Sequence, residues 1–146
     1  MNTLYTAVAT ANGGRRGTAA SESGQIDVKI AIPQELGGNG EGTNPEELFA
    51  AGYAACFGSA LQTVAAMEKK RVKDVSITAR VGLGQLEGGR FGLEVKLEAL
   101  VPGLEQAEAE ELVAKAHEVC PYSNATRGNI PVELEVRVSE PAGTTP

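Results

Sequence analysis

The alternation of apolar and polar positions marks out strands along most of the chain, and two runs at helical spacing interrupt it. Leu4 to Thr10 alternates well enough for a strand, and Asn12-Gly13-Gly14-Arg15-Arg16-Gly17 follows as a turn carrying two arginines. Thr18 to Ser21 is the expected hairpin partner. From Gln25 to Ile32 the residues Ile26, Val28, Ile30 and Ile32 alternate with polar ones, predicting a strand with one buried face that Pro33 ends. Gly37 to Gly42 is too rich in glycine for regular structure. Val75 to Leu83 and Phe91 to Val101 alternate again, joined by the hairpin connection Leu86-Glu87-Gly88-Gly89-Arg90. Pro102-Gly103 breaks the chain, Glu105 to Val119 has the spacing of an amphipathic helix, and Val132 to Val138 is a last strand. The second helix stops at Cys120-Pro121, because a residue before proline is pushed out of the helical region. Pro121 can open a new helical turn with Cys120 at its N-cap, where partial positive charge favours a thiolate. This order of elements predicts an α+β domain over residues 1–138, with 139–146 as a loose tail.

The element around which the others are arranged is a helix from Asn44 to Lys70 with Cys56 near its middle. Asn44 is a good N-cap, Pro45 suits the first helical position, and Glu46 and Glu47 meet the positive end of the helix dipole. No residue from Leu48 to Met67 is charged, and Glu68-Lys69-Lys70-Arg71 closes the run. Such a run has the length of a membrane span, but alanine dominates it and Gly52, Gly58, Ser59, Gln62 and Thr63 interrupt it, so a membrane role is not expected. A helix buried on most sides is the expectation instead. At about 1.5 Å per residue it is roughly 40 Å long, against a radius of gyration of about 15 Å for a chain of this size. A homodimer that wraps the helix resolves that mismatch.

Composition narrows the function classes. The 146 residues carry a net charge of −6, which argues against nucleic acid or an anionic membrane as partner. Met1 to Ala11 lacks the basic and apolar regions of a secretory signal, so a cytoplasmic location is expected. The glycines near the hairpin do not form a strand-to-helix phosphate loop. Two cysteines are too few for the usual structural zinc site, leaving buried apolar thiols or a redox pair.

Cys56 lies among Gly52, Tyr53, Phe57 and Ala60, the surroundings of an inert core thiol unless a cation is brought to it. The turn bearing Arg15 and Arg16 is the obvious source. Glu46, ten residues before Cys56, lies roughly on the same side of the helix. Its carboxylate either holds an arginine bidentately or only compensates the helix dipole. His117, the sole histidine, has nothing to place it beside Cys56 and reads as a surface residue.

The segments Gly13-Gly14-Arg15, Glu35-Leu36-Gly37-Gly38, Thr43 through Phe57, and Val119 through Ile130 together resemble the organic hydroperoxide resistance family, within the osmotically inducible protein C superfamily. The likeness runs from about Leu4 to Val138. It implies an OsmC-like fold of antiparallel sheets around the long helix, in an intertwined homodimer with active sites at the subunit interface. It further implies a thiol peroxidase in which Cys56 is the peroxidatic thiolate, Cys120 the resolving thiol, Arg15 the activating cation and Glu46 the carboxylate that orients it, with Arg16 a second candidate for the cation. Phe49, Tyr53 and Phe57 would favour alkyl or fatty-acid hydroperoxides, or else be core packing. No bound cofactor is expected, and the family implies a dihydrolipoyl group on a lipoylated partner protein, or another dithiol, as reductant. The rivals are a peroxidase of the sister OsmC branch and a non-enzymatic dimeric binding protein whose cysteines only pack. A cysteine-based redox regulator is disfavoured, since no DNA-binding element or basic patch is visible.

Overall fold

The computed structural model describes residues 1–140; the part of the expected tail from 141 to 146 lies outside the described residues. The chain divides into two compact units, one from Met1 to Leu48 and one from Phe49 onward.

In the first unit, β1 (Ala9–Asn12), β2 (Thr18–Ser21) and β3 (Asp27–Lys29) form an antiparallel sheet in chain order. β1 begins five residues later than the alternation predicts, and Leu4, Tyr5 and Val8 are exposed. Alternation supports a strand only where one face finds something to bury against. β3 is likewise shorter than the predicted strand. Beyond Lys29 the backbone turns to a parallel bridge between Ile30 and Thr43, with Ala31 N–H donating to Thr43 O and Thr43 N–H to Lys29 O, and Ile30 and Ala31 are buried. A 3₁₀ turn at Gln34–Leu36 follows Pro33.

α1 (Pro45–Met67) starts where the cap signals place it and ends three residues short of the expected Lys70. Asn44 Oδ1 accepts the Glu47 N–H at 2.9 Å, which is the N-cap bond. At the other end Lys69 takes a left-handed φ of 56°, Lys70 N–H donates to Ala65 O and Lys69 N–H to Ala66 O. Those two bonds are the Schellman pair that satisfies the last carbonyls.

The core of the second unit lies against one face of α1: Tyr53, Phe57, Ala60, Leu61, Val64 and Ala65 are buried. Ala51, Ala55, Ser59, Gln62 and Ala66 are exposed along the other side. Burial on most sides, as expected from the uncharged run, is therefore not met within a single chain, because only one stripe has partners there. By length and composition α1 could also cross a membrane, with a mean hydropathy of 1.3.

β4 (Ser76–Gln85) and β5 (Phe91–Leu100) form the predicted hairpin in full register from Ser76 opposite Leu100 to Gln85 opposite Phe91. β6 (Val132–Arg137) pairs with β5 in parallel, so this second sheet is mixed where antiparallel pairing was expected. A parallel pair needs a long crossover. α2 (Gln106–Val119) and α3 (Pro121–Thr126) supply it. α2 buries Ala109, Leu112, Val113 and Ala116 beside Val95, Leu97 and Ala99 of β5. Glu68 and Lys70, just past α1, pair with Lys115 and Glu108 of α2, which ties the two helices together at that end.

Candidate active site

Arg15 is presented by a turn of 3₁₀ helix, Gly14–Arg16, between β1 and β2. Gly13 and Gly14 have φ of 81° and 58°, values that disfavour a side chain, and a Cβ on Gly17 would lie 1.7 Å from Asn12 O. The glycines thus let the turn close tightly enough to fix the arginine. Arg15 Nη1 donates to Glu46 Oε2 at 2.9 Å and Nη2 to Glu46 Oε1 at 2.7 Å. This is the two-pronged fork that guanidinium and carboxylate make best. Hydrogen bonding to Arg15 holds the Glu46 carboxyl below its usual range against an opposing effect of burial, and the Arg15 guanidinium is raised in return. Arg16 is exposed and lines a separate hollow with Lys29 and Asn39. Of the two arginines, then, Arg15 engages Glu46.

In the second unit, α1 carries Cys56 and the α2–α3 corner carries Cys120. Both are free thiols. Cys120 is fully buried, and its Sγ lies 3.6 Å from Cys56 Sγ, within reach of a thiol–thiol hydrogen bond. Tyr122, two residues past Cys120, opens α3, and its backbone N–H tempers the Cys56 thiol. Cys120 does occupy the N-cap of α3 but its side chain makes no capping bond. Burial pushes the Cys56 thiol above its ordinary value, the Tyr122 N–H pulls it down, and the neighbouring Cys120 raises it further. Burial is thus the leading influence on the Cys56 thiol, and it disfavours the thiolate.

The aromatic candidates separate by burial. Tyr53 and Phe57 have no exposed surface and belong to the core. Phe49 is half-buried and packs edge-on to Tyr53 with centroids 6.0 Å apart. With Tyr122, Leu86, Phe91 and Ile130 it lines a largely apolar cleft of about 760 Å³. Tyr122 brings the cleft close to the thiols, because its ring lines the cleft and it follows Cys120 by two residues. Gly52 makes room for that ring; a Cβ there would lie 2.9 Å from Tyr122 Oη.

His117 is not a surface residue. It is half-buried, its Nδ1 lies 2.8 Å from Ser123 Oγ, and its ring is 6.4 Å from that of Phe57. Burial, and the Arg127 charge after it, lower its pKa. Tyr122, Ser123 and Thr126 are the site neighbours that periodicity misses, since they fall in a six-residue helix too short to show a face. Among the described residues no cluster of three His, Cys, Asp or Glu side chains is set to hold a metal.

A sheet hairpin that presents an arginine fork, and a long helix whose cysteine meets a second one at the start of a short helix, are what the comparisons with known proteins then place in a class. The model of the OsmC-like protein family matches residues 38–135, and the chain belongs to that family. Within it, the chain falls in the organic hydroperoxide resistance branch. It is 59% identical over 133 residues to the organic hydroperoxide resistance protein of Xanthomonas axonopodis pv. citri, covering 90% of this chain and 93% of that one. Organic hydroperoxide resistance protein OhrB of Bacillus subtilis is 47% identical over 135 residues, covering 92% and 98%. The crystal structure of an organic hydroperoxide resistance protein from Elizabethkingia anophelis superposes with a TM-score of 0.91 at 53% identity, covering 95% of this chain and all of that one.

Proposed function

We propose that the chain is a cysteine-based peroxidase of oxidative-stress defence that reduces organic and fatty-acid hydroperoxides to alcohols. The observation that carries the reading is the approach of the Cys120 thiol to Cys56 Sγ, 3.6 Å. In the first step the Cys56 thiolate attacks the outer peroxide oxygen. The O–O bond breaks, its electron pair leaves with the alkoxide, a proton completes the alcohol, and Cys56 becomes a sulfenic acid. Cys120 sulfur then attacks Cys56 sulfur, water leaves, and a Cys56–Cys120 disulfide forms. A dithiol restores both thiols with two electrons and two protons. We assign that task to dihydrolipoyl groups on a lipoylated protein.

Arg15 is assigned as the cation that lowers the free energy of the thiolate and of negative charge developing on the peroxide oxygens, since guanidinium stays charged and donates several hydrogen bonds. Glu46 orients it. The apolar cleft behind Phe49 and Tyr122 favours alkyl over hydrogen peroxide, with Tyr53 packed against both rings from the core. The exposed side of α1, with small residues at Ala51, Ala55, Ser59 and Ala66, supports a homodimer in which a second copy covers it. The protein is assigned to the cytoplasm.

Turnover of cumene or linoleic acid hydroperoxide, measured against hydrogen peroxide with dihydrolipoamide as reductant, tests the reading. Faster consumption of the organic substrates is expected. Equal rates on all three would overturn the assignment of the cleft, and no turnover with any dithiol would overturn the enzyme.

A further inference from the structure

A chain of buried hydrogen bonds joins all three helices beside the two sulfurs. His117 Nδ1 lies 2.8 Å from Ser123 Oγ, Ser123 Oγ 2.8 Å from Tyr53 Oη, Tyr53 Oη 3.1 Å from Thr126 Oγ1, and Thr126 Oγ1 3.2 Å from the Ser123 carbonyl. Tyr53 and Ser123 have no exposed surface and Thr126 has 5%. Each member but Thr126 stands three residues from a cysteine: Tyr53 before Cys56, Ser123 after Cys120, and His117 before Cys120. On a helix three residues is nearly one turn, so Tyr53 and Cys56 lie on the same side of α1.

Counting protons fixes the direction of every bond. The Thr126 hydroxyl proton goes to the Ser123 carbonyl, which can only accept. The Tyr53 proton must then go to Thr126 and the Ser123 proton to Tyr53. Nothing remains for the last contact but the His117 Nδ1–H, donated to Ser123 Oγ. His117 therefore carries its proton on Nδ1, and Arg127 Nη2, donating to the His117 carbonyl, secures the same corner from outside.

We infer that His117 and Ser123 are positioning residues for disulfide closure: with Tyr53 they brace α1 against the α2–α3 corner and hold Cys120 Sγ within reach of Cys56 Sγ. Closure must bring sulfurs now 3.6 Å apart to a bond of about 2.05 Å. Cys56–SOH and Cys120–SH give the disulfide and one water, so a corner that drifts slows this step without touching the attack on peroxide. The inference rests on the peroxidase reading above.

The test separates the two steps in single turnover with one equivalent of cumene hydroperoxide, following alcohol release and thiol loss in the wild-type chain, Ser123→Ala, His117→Leu and His117→Asn. Release of alcohol is expected to stay within about twofold, while closure slows about tenfold in Ser123→Ala and His117→Leu, consistent with a lost buried hydrogen bond. The sulfenic acid should then accumulate, trapped by dimedone. His117→Asn, which restores an N–H donor near the Nδ1 position, should recover most of the rate. Closure at the wild-type rate in Ser123→Ala overturns the inference, as does nitrogen NMR of the wild-type chain showing the neutral His117 proton on Nε2. A wild-type chain that releases no alcohol sinks the peroxidase reading instead.

Discussion

Cys56 and Cys120 stand 64 residues apart in the chain, and their sulfurs lie 3.6 Å apart. The two thiols are unequal. Cys120 is fully buried, whereas Cys56 is partly accessible. That difference in access supports the proposed roles, attack by Cys56 and resolution by Cys120. Cys56→Ser is expected to abolish alcohol release. Cys120→Ser is expected to keep the first alcohol release and lose recycling, with Cys56 advancing to sulfinic acid under excess hydroperoxide. Loss of the first release in Cys120→Ser alone would reverse the two roles.

The Arg15–Glu46 fork predicts a graded series. Arg15→Ala should slow the first step by about a hundredfold or more, the scale for removing one preorganised charge donor. Arg15→Lys keeps the charge but loses the second prong, and should fall between Ala and the wild-type chain. Arg16→Ala should leave the rate near normal. Stopped-flow kinetics of sulfenic acid formation reads all three, and equal slowing by Arg16→Ala would transfer the role to Arg16.

The same fork gives a pH dependence. Because Arg15 holds the folded Glu46 carboxyl below its unfolded value, the pair stabilises the folded chain at neutral pH. That contribution is present above the ordinary glutamate range, begins to fall on entering it, and is gone below the lowered value. Glu46→Gln should therefore narrow its stability gap from the wild-type chain as pH falls, which denaturant midpoints between neutral and strongly acidic pH will report. A gap constant with pH would show that the pair contributes nothing through titration.

How far the sequence reached is clearest at α1. Its cap and its charged ends were legible, because capping and dipole signals are local and lie within one turn of the residues they stop or start, whereas its C-terminal end falls three residues before the expected Lys70. The strands of the hairpin β4–β5 were legible for the same reason. The first strand was not, since alternation from Leu4 to Val8 says nothing about whether a partner face exists. The parallel seat of β6 was hidden too, because pairing direction is set by the crossover and leaves no mark on alternation within the strand. At the site, residue spacing allowed Glu46 to hold an arginine but could not choose between that and dipole compensation; the fork is a contact across 31 residues. Burial of His117 was missed because its partner Ser123 sits in a helix whose only sequence signal is Pro121.

Tyr53 offers a test of stability. Removing its hydroxyl in Tyr53→Phe leaves the ring packed and strands Ser123 and Thr126 in a buried setting. A loss of about 1–3 kcal/mol is expected, the cost of leaving a buried polar group without its partner. Thermal or denaturant unfolding measures it, and an unchanged midpoint would mean that the hydroxyl is not part of a closed network.

Gly52→Ala probes the cleft. The new Cβ would lie 2.9 Å from Tyr122 Oη, the far end of a side chain that can shift. Displacement of that ring should raise KM for bulky hydroperoxides several-fold while changing the unfolding midpoint little. A large fall in stability with unchanged KM would show that the ring is locked and remote from substrate.

The most direct measurement is mass spectrometry of the intact reduced chain after one equivalent of an organic hydroperoxide. Both thiols are expected to vanish together, with the loss of two hydrogens and a peptide map joining Cys56 to Cys120. Two intact thiols, or a stable oxygen adduct on Cys120 with Cys56 untouched, would contradict the peroxidase reading.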